Sequence, residues 1–509
     1  MHPLDSRSYT RALSFGRDKF EPVRPDSEKS AVPVVIPLSE DGEALYRQVY
    51  CGLRRAILIG SFGAGDQLPS TRNLAEQLGI SRTVVLQAYE LLLAEGYAQG
   101  QAGSGTYVSQ SVCCTRSRLA DTPAKLRVSH YGEIAANVGA AVDFPKCSVP
   151  MRYDFAYCRG DASVFPFEMW RRILLKHARS MPLRGLDYGD AGGSPALREA
   201  IAVHLRRSRA VVCDASQVIV VNGSQQALDL IARVLIEPKD TVAIEDPQYQ
   251  GTSAVLRASG AKLLPVAVDN EGLNPAELPK SARVAFVTPS HQFPTGAILP
   301  LARRLALLAW ARNTDAIVVE DDYDGEFRYE GQPLESLQGL DTEGRVVYIG
   351  TFSRTVFSAL RIGYLVVPAS LVSAFTTAKW LCDRHTATLE QQTLAEFITN
   401  GMYERHLGRL RRNYARRRQA LLAAIDNHLA PEVEVTGDGA GAHIVLWPKK
   451  RVLEKTLVYR AASRDVGLYG LSRYFIGRAR RPGLLLGYSQ LNVEEIREGI
   501  KRLSGIFEP

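Results

Sequence analysis

The stretch Tyr348–Val367, YIGTFSRTVFSALRIGYLVV, decides how the larger part of this chain is read. An apolar run, Val346, Val347, Tyr348 and Ile349, enters a small-residue turn, and a second apolar run leaves it and ends at Val367. Ser353, Arg354 and Arg361 stand between the two. Short apolar runs bounded by turn residues predict buried strands, and a polar loop between such strands predicts a pocket at the edge of a sheet.

Outward from this loop, the chain from Tyr153 to its end alternates helical patterns with short β-branched runs, which predicts an α/β domain with a mostly parallel sheet. The run Gln217–Val221 passes through Asn222-Gly223-Ser224 into a helix over Gln225–Leu235. Backbone N–H groups at such a helix start favour an anionic oxygen. The next strand, TVAIEDPQY, ends at Tyr249; VAFVTP is followed by SHQFPTG; AIVVEDDYDGEF carries Asp321 and Tyr323. Loops after parallel strands are where such sheets bind ligands. Taken singly, each feature has an ordinary reading as well. Strand–Gly–helix junctions are common without a ligand, Tyr249 and Tyr323 fit half-buried rings, and Asp321 fits a capping acid.

Ahead of this lies a different pattern. Leu45, Val49, Leu53, Ala56 and Ile57 fall at helical spacing. Ser70 can cap a short helix with Leu74, Ala75 and Leu78 on its apolar face, and Gly79-Ile80 makes the turn. Ser81 caps a longer helix whose expected buried face is Val84, Ala88, Leu91 and Leu92. Two helices joined by a tight glycine turn predict a helix-turn-helix, whose second helix presents Arg82, Thr83, Leu86 and Gln87 outward. Tyr97–Val108 reads as a hairpin. Residues 1–38 are polar and proline-interrupted and predict a mobile arm, and residues 111–150 show no period and predict a linker.

With 509 residues and 46% hydrophobic content, the chain is expected to be a soluble protein of several domains. No secretory signal or apolar run of spanning length is read, so a cytoplasmic protein is expected. Seven cysteines without metal-ligand spacing, including the adjacent Cys113 and Cys114, agree with a reducing compartment. The net charge of +8 is not concentrated where DNA binding would want it. From Ser39 to Gln110 there are arginines at 47, 54, 55, 72 and 82 against acids at 40, 41, 43, 66, 76, 90 and 95. Any DNA binding there rests on a few placed arginines rather than on net charge.

The order LYRQVY, LPSTR, LGISR, GSGTYV resembles the winged helix-turn-helix of the GntR family over about 70 residues. By position, Arg72 and Arg82 are the implied base or phosphate contacts. Ser70, Thr71 and Thr83 are implied phosphate contacts, with Ser81 at the recognition-helix start, and Gly103, Ser104 and Gly105 form the wing tip. Arginine can offer two donors to guanine, whereas hydroxyls mainly fix register on phosphates. Arg47 and Arg54 are expected on the solvated face.

The later pieces, YGD (Tyr188–Asp190), GSQQALDL, EDPQY, TPSHQFPTG, EDDYDGEFRY, the GTFS loop and YERH (Tyr403–His406), resemble the aminotransferase-like domain of MocR-type GntR regulators. The fold this implies is an α+β winged helix-turn-helix over 39–110 followed by an α/β fold-type I pyridoxal-phosphate-dependent transferase-like domain over 151–509. The resemblance further implies that Tyr249 stacks on the pyridine ring of pyridoxal 5'-phosphate, Asp321 pairs with its nitrogen, and Tyr323 hydrogen-bonds the ring oxygen. Gly223, Ser224, Thr351, Ser353 and Arg361 match the phosphate cradle.

Two positions depart from the pattern. Arg354 occupies the slot of the lysine that joins the cofactor aldehyde, and a guanidinium stays protonated and cannot act as that nucleophile. Any bound cofactor is therefore expected to be noncovalent. In LLLGYS, Leu485 falls where the enzymes carry a carboxylate-clamping arginine, with Arg481 nearby. The expected protein is a homodimeric regulator that binds an operator in double-stranded DNA and senses a small-molecule effector. The alternatives are an aminotransferase carrying a DNA-binding domain, and a scaffold whose second domain only dimerises.

Overall fold

The computed structural model describes residues 36–39, 43–112, 126–141, 151–157, 159–181, 187–329, 334–477, 479 and 481–507. Most of the expected arm, most of the expected linker and the Cys113-Cys114 pair lie outside these. The chain forms two compact units, one ending at Arg127 and the other beginning at Val128.

In the first unit, α1 (Leu45–Leu58), α2 (Thr71–Leu78) and α3 (Arg82–Ala94) precede a hairpin of β1 (Ala98–Gln101) and β2 (Gly105–Val108). Val49, Leu53 and Ile57 of α1 meet Leu74 and Ala75 of α2 in a single core. The buried face of α3 is Val85, Ala88, Tyr89 and Leu92, so it is turned by about one residue from the expected face, and Val84 and Leu91 are only half-buried. Both sets satisfy a helical period; Tyr89 settles the choice, because its ring is buried and its hydroxyl donates to Pro69 O at 2.6 Å. Ile36, which sequence placed in the arm, is packed on α1. A Cβ on Gly52 would come within 2.7 Å of Ile36 Cγ2, which explains a glycine inside that helix.

The second unit opens with α4 (His130–Ala141), a helix inside the expected linker; its Ala- and Gly-rich sequence gives no apolar period to read. It continues with β3 (Tyr153–Asp154), α5 (Phe167–Ser180), α6 (Pro195–Arg209), β4 (Val218–Val221), α7 (Ser224–Leu235), β5 (Thr241–Asp246) and α8 (Gln250–Ala258). Next come β6 (Lys262–Asp269), β7 (Gly272–Leu273), β8 (Val284–Val287), α9 (Leu301–Thr314), β9 (Ile317–Asp322), α10 (Leu337–Leu340), β10 (Val346–Thr351) and β11 (Gly363–Val366). The chain closes with α11 (Val372–Asp383), α12 (Thr388–Thr399), α13 (Met402–Leu429), β12 (Val433–Thr436), β13 (His443–Pro448), α14 (Glu454–Ala462), β14 (Val466–Gly467), β15 (Tyr469–Gly470), β16 (Leu484–Gly487) and α15 (Val493–Arg502).

Eight strands form one sheet in the order β4-β11-β10-β9-β8-β5-β6-β7. The core of it, β10 through β6, is parallel, while β11 runs antiparallel to both neighbours. Strands β4, β8, β10 and β11 are buried throughout, as a sheet covered on both faces requires. A second, antiparallel sheet, β12-β13-β16-β15, packs with α13 and α15 in its own core.

Candidate functional site

In the first unit the exposed polar residues are placed by their immediate neighbours. Ser70 Oγ accepts from Asn73 N at 3.1 Å and Ser81 Oγ from Val84 N at 3.4 Å, so both expected caps form. Arg82 Nε donates to Thr71 Oγ1 at 3.3 Å and ties the starts of α2 and α3 together. Arg72, Arg82, Thr83, Leu86 and Gln87 are exposed. At the hairpin tip Gly103 and Gly105 have φ of +76° and +119°, where side chains are strained, and a Cβ on Gly105 would also reach Gln67 at 2.9 Å. Ser104 Oγ is hydrogen-bonded to the Tyr107 hydroxyl at 2.7 Å, while its carbonyl accepts from Gln67 Nε2 at 2.8 Å. Arg54 has a partner that sequence did not show: its Nε donates to Tyr97 OH at 2.8 Å and its guanidinium lies over that ring. Arg47 stays exposed beside Glu43.

In the second unit, strand register does the placing. Gly363 pairs with Thr351 on one side and Val221 on the other, which sets the ends of β10 and β4 on either side of β11. Gly223 then starts α7 with φ +83°, and a Cβ there would lie 2.4 Å from Arg361 Nη2. Arg361 donates to Asn222 O at 3.1 Å. Thr351 Oγ1 donates to Ser353 Oγ at 3.1 Å and accepts from Ser353 N at 3.2 Å. Gly223, Ser224, Thr351, Ser353 and Arg361 therefore come together at one sheet end, where Asn222 and Arg361, 139 positions apart in the chain, are hydrogen-bonded. Behind them Asp383 accepts from Asn222 Nδ2 (2.6 Å) and Gln226 Nε2 (2.7 Å) and pairs with the buried Lys379 at 2.5 Å, a support that sequence reasoning missed.

Asp321 lies opposite Ile349 in the β9–β10 ladder. Its Oδ1 is shut off from solvent with no hydrogen-bond partner. Burial pushes its pKa up to about 7, Asp322 adds to the rise, and the Arg354 guanidinium opposes it. Tyr323 follows; its hydroxyl is 3.1 Å from His291 Nδ1, and Arg354 Cζ stands 5.6 Å above its ring. Tyr249, at the start of α8, donates to Gln225 Oε1 at 3.4 Å and meets Phe293 edge-on.

The Arg354 loop is held from two sides. On one, Tyr403 OH donates to Thr355 Oγ1 at 2.9 Å and His406 Nε2 to Thr355 O at 2.8 Å. On the other, Gly160 approaches so closely that a Cβ there would lie 2.9 Å from Arg354 O. The spacing of Tyr403 and His406, three apart on one helix, was the available signal for the first clamp. Also unforeseen was the buried group of His291, Asp324 and His443. Burial disfavours a charged His291, but Asp324 at 3.0 Å outweighs it and raises the pKa. Burial and the charges of His291 and Arg354 hold His443 well below the usual value. Leu485 is buried among Tyr157, Phe293 and Trp447, while Arg481 pairs with Glu434 at 2.8 Å and lies over Trp447.

A winged helix-turn-helix and a fold-type I aminotransferase-like unit are thus defined by the structure. Residues 45–108 match the family of bacterial regulatory proteins of gntR type, and residues 158–479 match aminotransferase class I and II. The chain is 38% identical over 479 residues to the probable rhizopine catabolism regulatory protein MocR of Rhizobium meliloti, covering 93% of this chain and 96% of that one. It is 35% identical to the HTH-type transcriptional regulator TauR of Rhodobacter capsulatus over 88% of this chain and 93% of that one. Among solved structures it resembles the alpha-aminoadipate aminotransferase of Thermus thermophilus, complexed with N-(5'-phosphopyridoxyl)-L-leucine, at 27% identity and a TM-score of 0.67, over 75% of this chain and 98% of that one. The chain belongs to the MocR-type GntR transcription regulators. No helix among the described residues is long and apolar enough to cross a membrane.

Proposed function

We infer that this regulator senses a small ligand through a pyridoxal-phosphate pocket that has given up covalent anchoring. The observation that carries this reading is the buried Asp321 oxygen without a partner, beside a cradle in which glycine is the residue that leaves room for Arg361. A carboxylate so placed suits a pyridinium N–H, and a helix start with two hydroxyls and a guanidinium suits a phosphate dianion. When bound, the cofactor would supply an aromatic aldehyde conjugated to an electron-withdrawing ring. Tyr249 would lie against that ring, Tyr323 would hold its oxygen, and Asp321 would keep the proton at its nitrogen. Arg354 supplies charge and hydrogen bonds but no nucleophile.

On this reading the DNA-binding domain spans 39–110, the linker 111–150 and the effector domain 151–509, in a cytoplasmic homodimer. Ser70, Thr71, Arg72, Ser81, Arg82, Thr83, Gly103, Ser104 and Gly105 contact the operator, and ligand occupancy of the effector domain alters operator affinity. The test is an absorbance titration with pyridoxal phosphate, with and without borohydride, on the native chain and on Arg354→Lys. The native chain gives a saturable change that borohydride does not fix, and the variant gives a covalent, reducible adduct. A native chain with no saturable change sinks the cofactor reading. The enzyme alternative predicts turnover with pairs of amino acids and 2-oxo acids, and Arg354 argues against it.

A further inference from the structure

Independently of the cofactor reading, we propose that His291, Asp324 and His443 hold a divalent transition-metal ion of the zinc type, which ties the two sheets of the second unit together. His291 lies in the loop after β8 and Asp324 in the loop after β9, both of the large sheet, while His443 opens β13 of the small one. All three are buried. One nitrogen of each ring and one carboxylate oxygen lie within 4.8 Å of one another. Two imidazoles and a carboxylate are a donor set that zinc takes, with a fourth position left for water.

The surrounding hydrogen bonds leave a lone pair on each ring. His291 Nε2 is 3.3 Å from Gly437 O, and His443 Nε2 is 3.2 Å from Pro294 O. A carbonyl only accepts, so each Nε2 carries the proton and each neutral ring keeps its lone pair on Nδ1. Metal-binding histidines are oriented in this way, by an acceptor on the far nitrogen. His291 Nδ1 then meets Asp324 Oδ2 at 3.0 Å, two acceptors that need a positive charge between them. The Tyr323 hydroxyl, 3.1 Å from the same nitrogen, supplies a donor but no charge. A proton would serve that pair alone. His443 Nδ1, which has no hydrogen-bond partner among the described residues, is served only by an ion common to all three.

The space suits an ion and its water. The adjoining cavity, walled by Tyr323, Asp324 and His443 among others, measures about 10 Å³, room for one water. Gly441 keeps the approach clear, since a Cβ there would stand 2.3 Å from His291 Nδ1 and 2.5 Å from Asp324 Oδ2. Ligand bonds of about 2.1 Å set ligand atoms roughly 3.4 Å apart around a tetrahedral ion. His291 and Asp324 are already near that separation, and small ring rotations close the rest. The Arg354 charge, which acts on both histidines, opposes the ion; Asp324 and the neighbouring Asp321 offset it.

The test uses the full chain, stripped of metal with a chelator and without added cofactor. Zinc binding is read by competition with a chromophoric chelator, and cobalt(II) serves as the spectroscopic probe. Zinc binds saturably and magnesium does not, because magnesium takes oxygen ligands. Cobalt gives visible ligand-field bands without the near-ultraviolet charge-transfer band of a thiolate. Asp324→Asn and His443→Gln each weaken zinc about a hundredfold or more and remove the cobalt bands. The joint change of Cys113→Ser and Cys114→Ser leaves zinc affinity within about twofold. Thermal melting of the metal-free variants verifies that they fold; if His443→Gln does not, Asp324→Asn and the cobalt spectrum of the native chain decide. The site is overturned if the stripped chain binds no zinc, since His291 and Asp324 then share only a proton, or if zinc and magnesium bind alike. It is equally overturned if the folded variants bind zinc as the native chain does, or if cobalt shows a thiolate band that the cysteine change abolishes. The cofactor reading stands or falls separately, on the absorbance titration, which Asp324→Asn leaves saturable.

Discussion

The two units place their candidate functional residues in opposite ways. In the DNA-binding head they lie at or near the surface, and the two serine caps are set by near neighbours, Ser70 by Asn73 and Ser81 by Val84. In the second unit the pocket residues run from Gly223 to Arg361, and β-sheet register brings them together, with Gly223 and Thr351 buried, Asp321 and Ser353 half-buried and Arg361 exposed. Local placement makes each residue separable. Placement by register couples the buried pocket atoms, such as Asp321 Oδ1, to the strands that carry them, so that a change there is felt in both binding and stability.

The largest effect that would sharpen this contrast is Arg354→Lys, which should switch the pocket from no covalent adduct to a stoichiometric one, read by borohydride trapping. Next, Arg361→Gln should weaken pyridoxal-phosphate binding about 10- to 100-fold, since a charge-assisted contact to phosphate is lost. An unchanged titration would remove Arg361 from the cradle.

Asp321→Asn should separate stability from binding. The folded pKa of about 7 lies above the unfolded value near 3.9, so the unfolded chain ionises first and stability falls as pH rises from about 4 to about 7. Glu245, Glu320 and Glu326, also pushed up to about 7 chiefly by burial, contribute in the same direction. At pH 8 the asparagine variant should be more stable by roughly 1–2 kcal/mol in urea unfolding, with a shallower pH slope, and yet bind pyridoxal phosphate more weakly. Equal pH slopes for the two proteins would show that Asp321 is not buried as a charge. The smallest effect belongs to the head. Ser81→Ala should cost about 1 kcal/mol of its stability and leave the pyridoxal-phosphate titration untouched. A shifted titration would break the contrast by showing that the head is not separable.

The same difference explains what could be read in advance. The helix-turn-helix, its two serine caps and the glycine wing tip are local signals, and the structure has each of them in place. The face of α3 was misjudged because two sets of residues share one period, and the tie between Tyr89 and Pro69 reaches back 20 positions. The strands around Gly223, Asp321 and Thr351 were legible from β-branched runs and turns. Their meeting at one sheet end depends on an antiparallel β11 between β10 and β4, which no run of residues announces. The buried trio of His291, Asp324 and His443 joins residues up to 152 positions apart and carries no spacing signal.

Helix α13 has 28 residues, about 42 Å at 1.5 Å per residue. Tyr403 and Leu407 at its start belong to the core around the large sheet, and Leu410 through Leu429 belong to the core around the small one. Its first turns also hold Thr355, the residue next to Arg354. The helix is therefore a shared beam: the side chains that anchor the loop of Arg354 and those that fill the core of the smaller sheet stand on one continuous run of backbone.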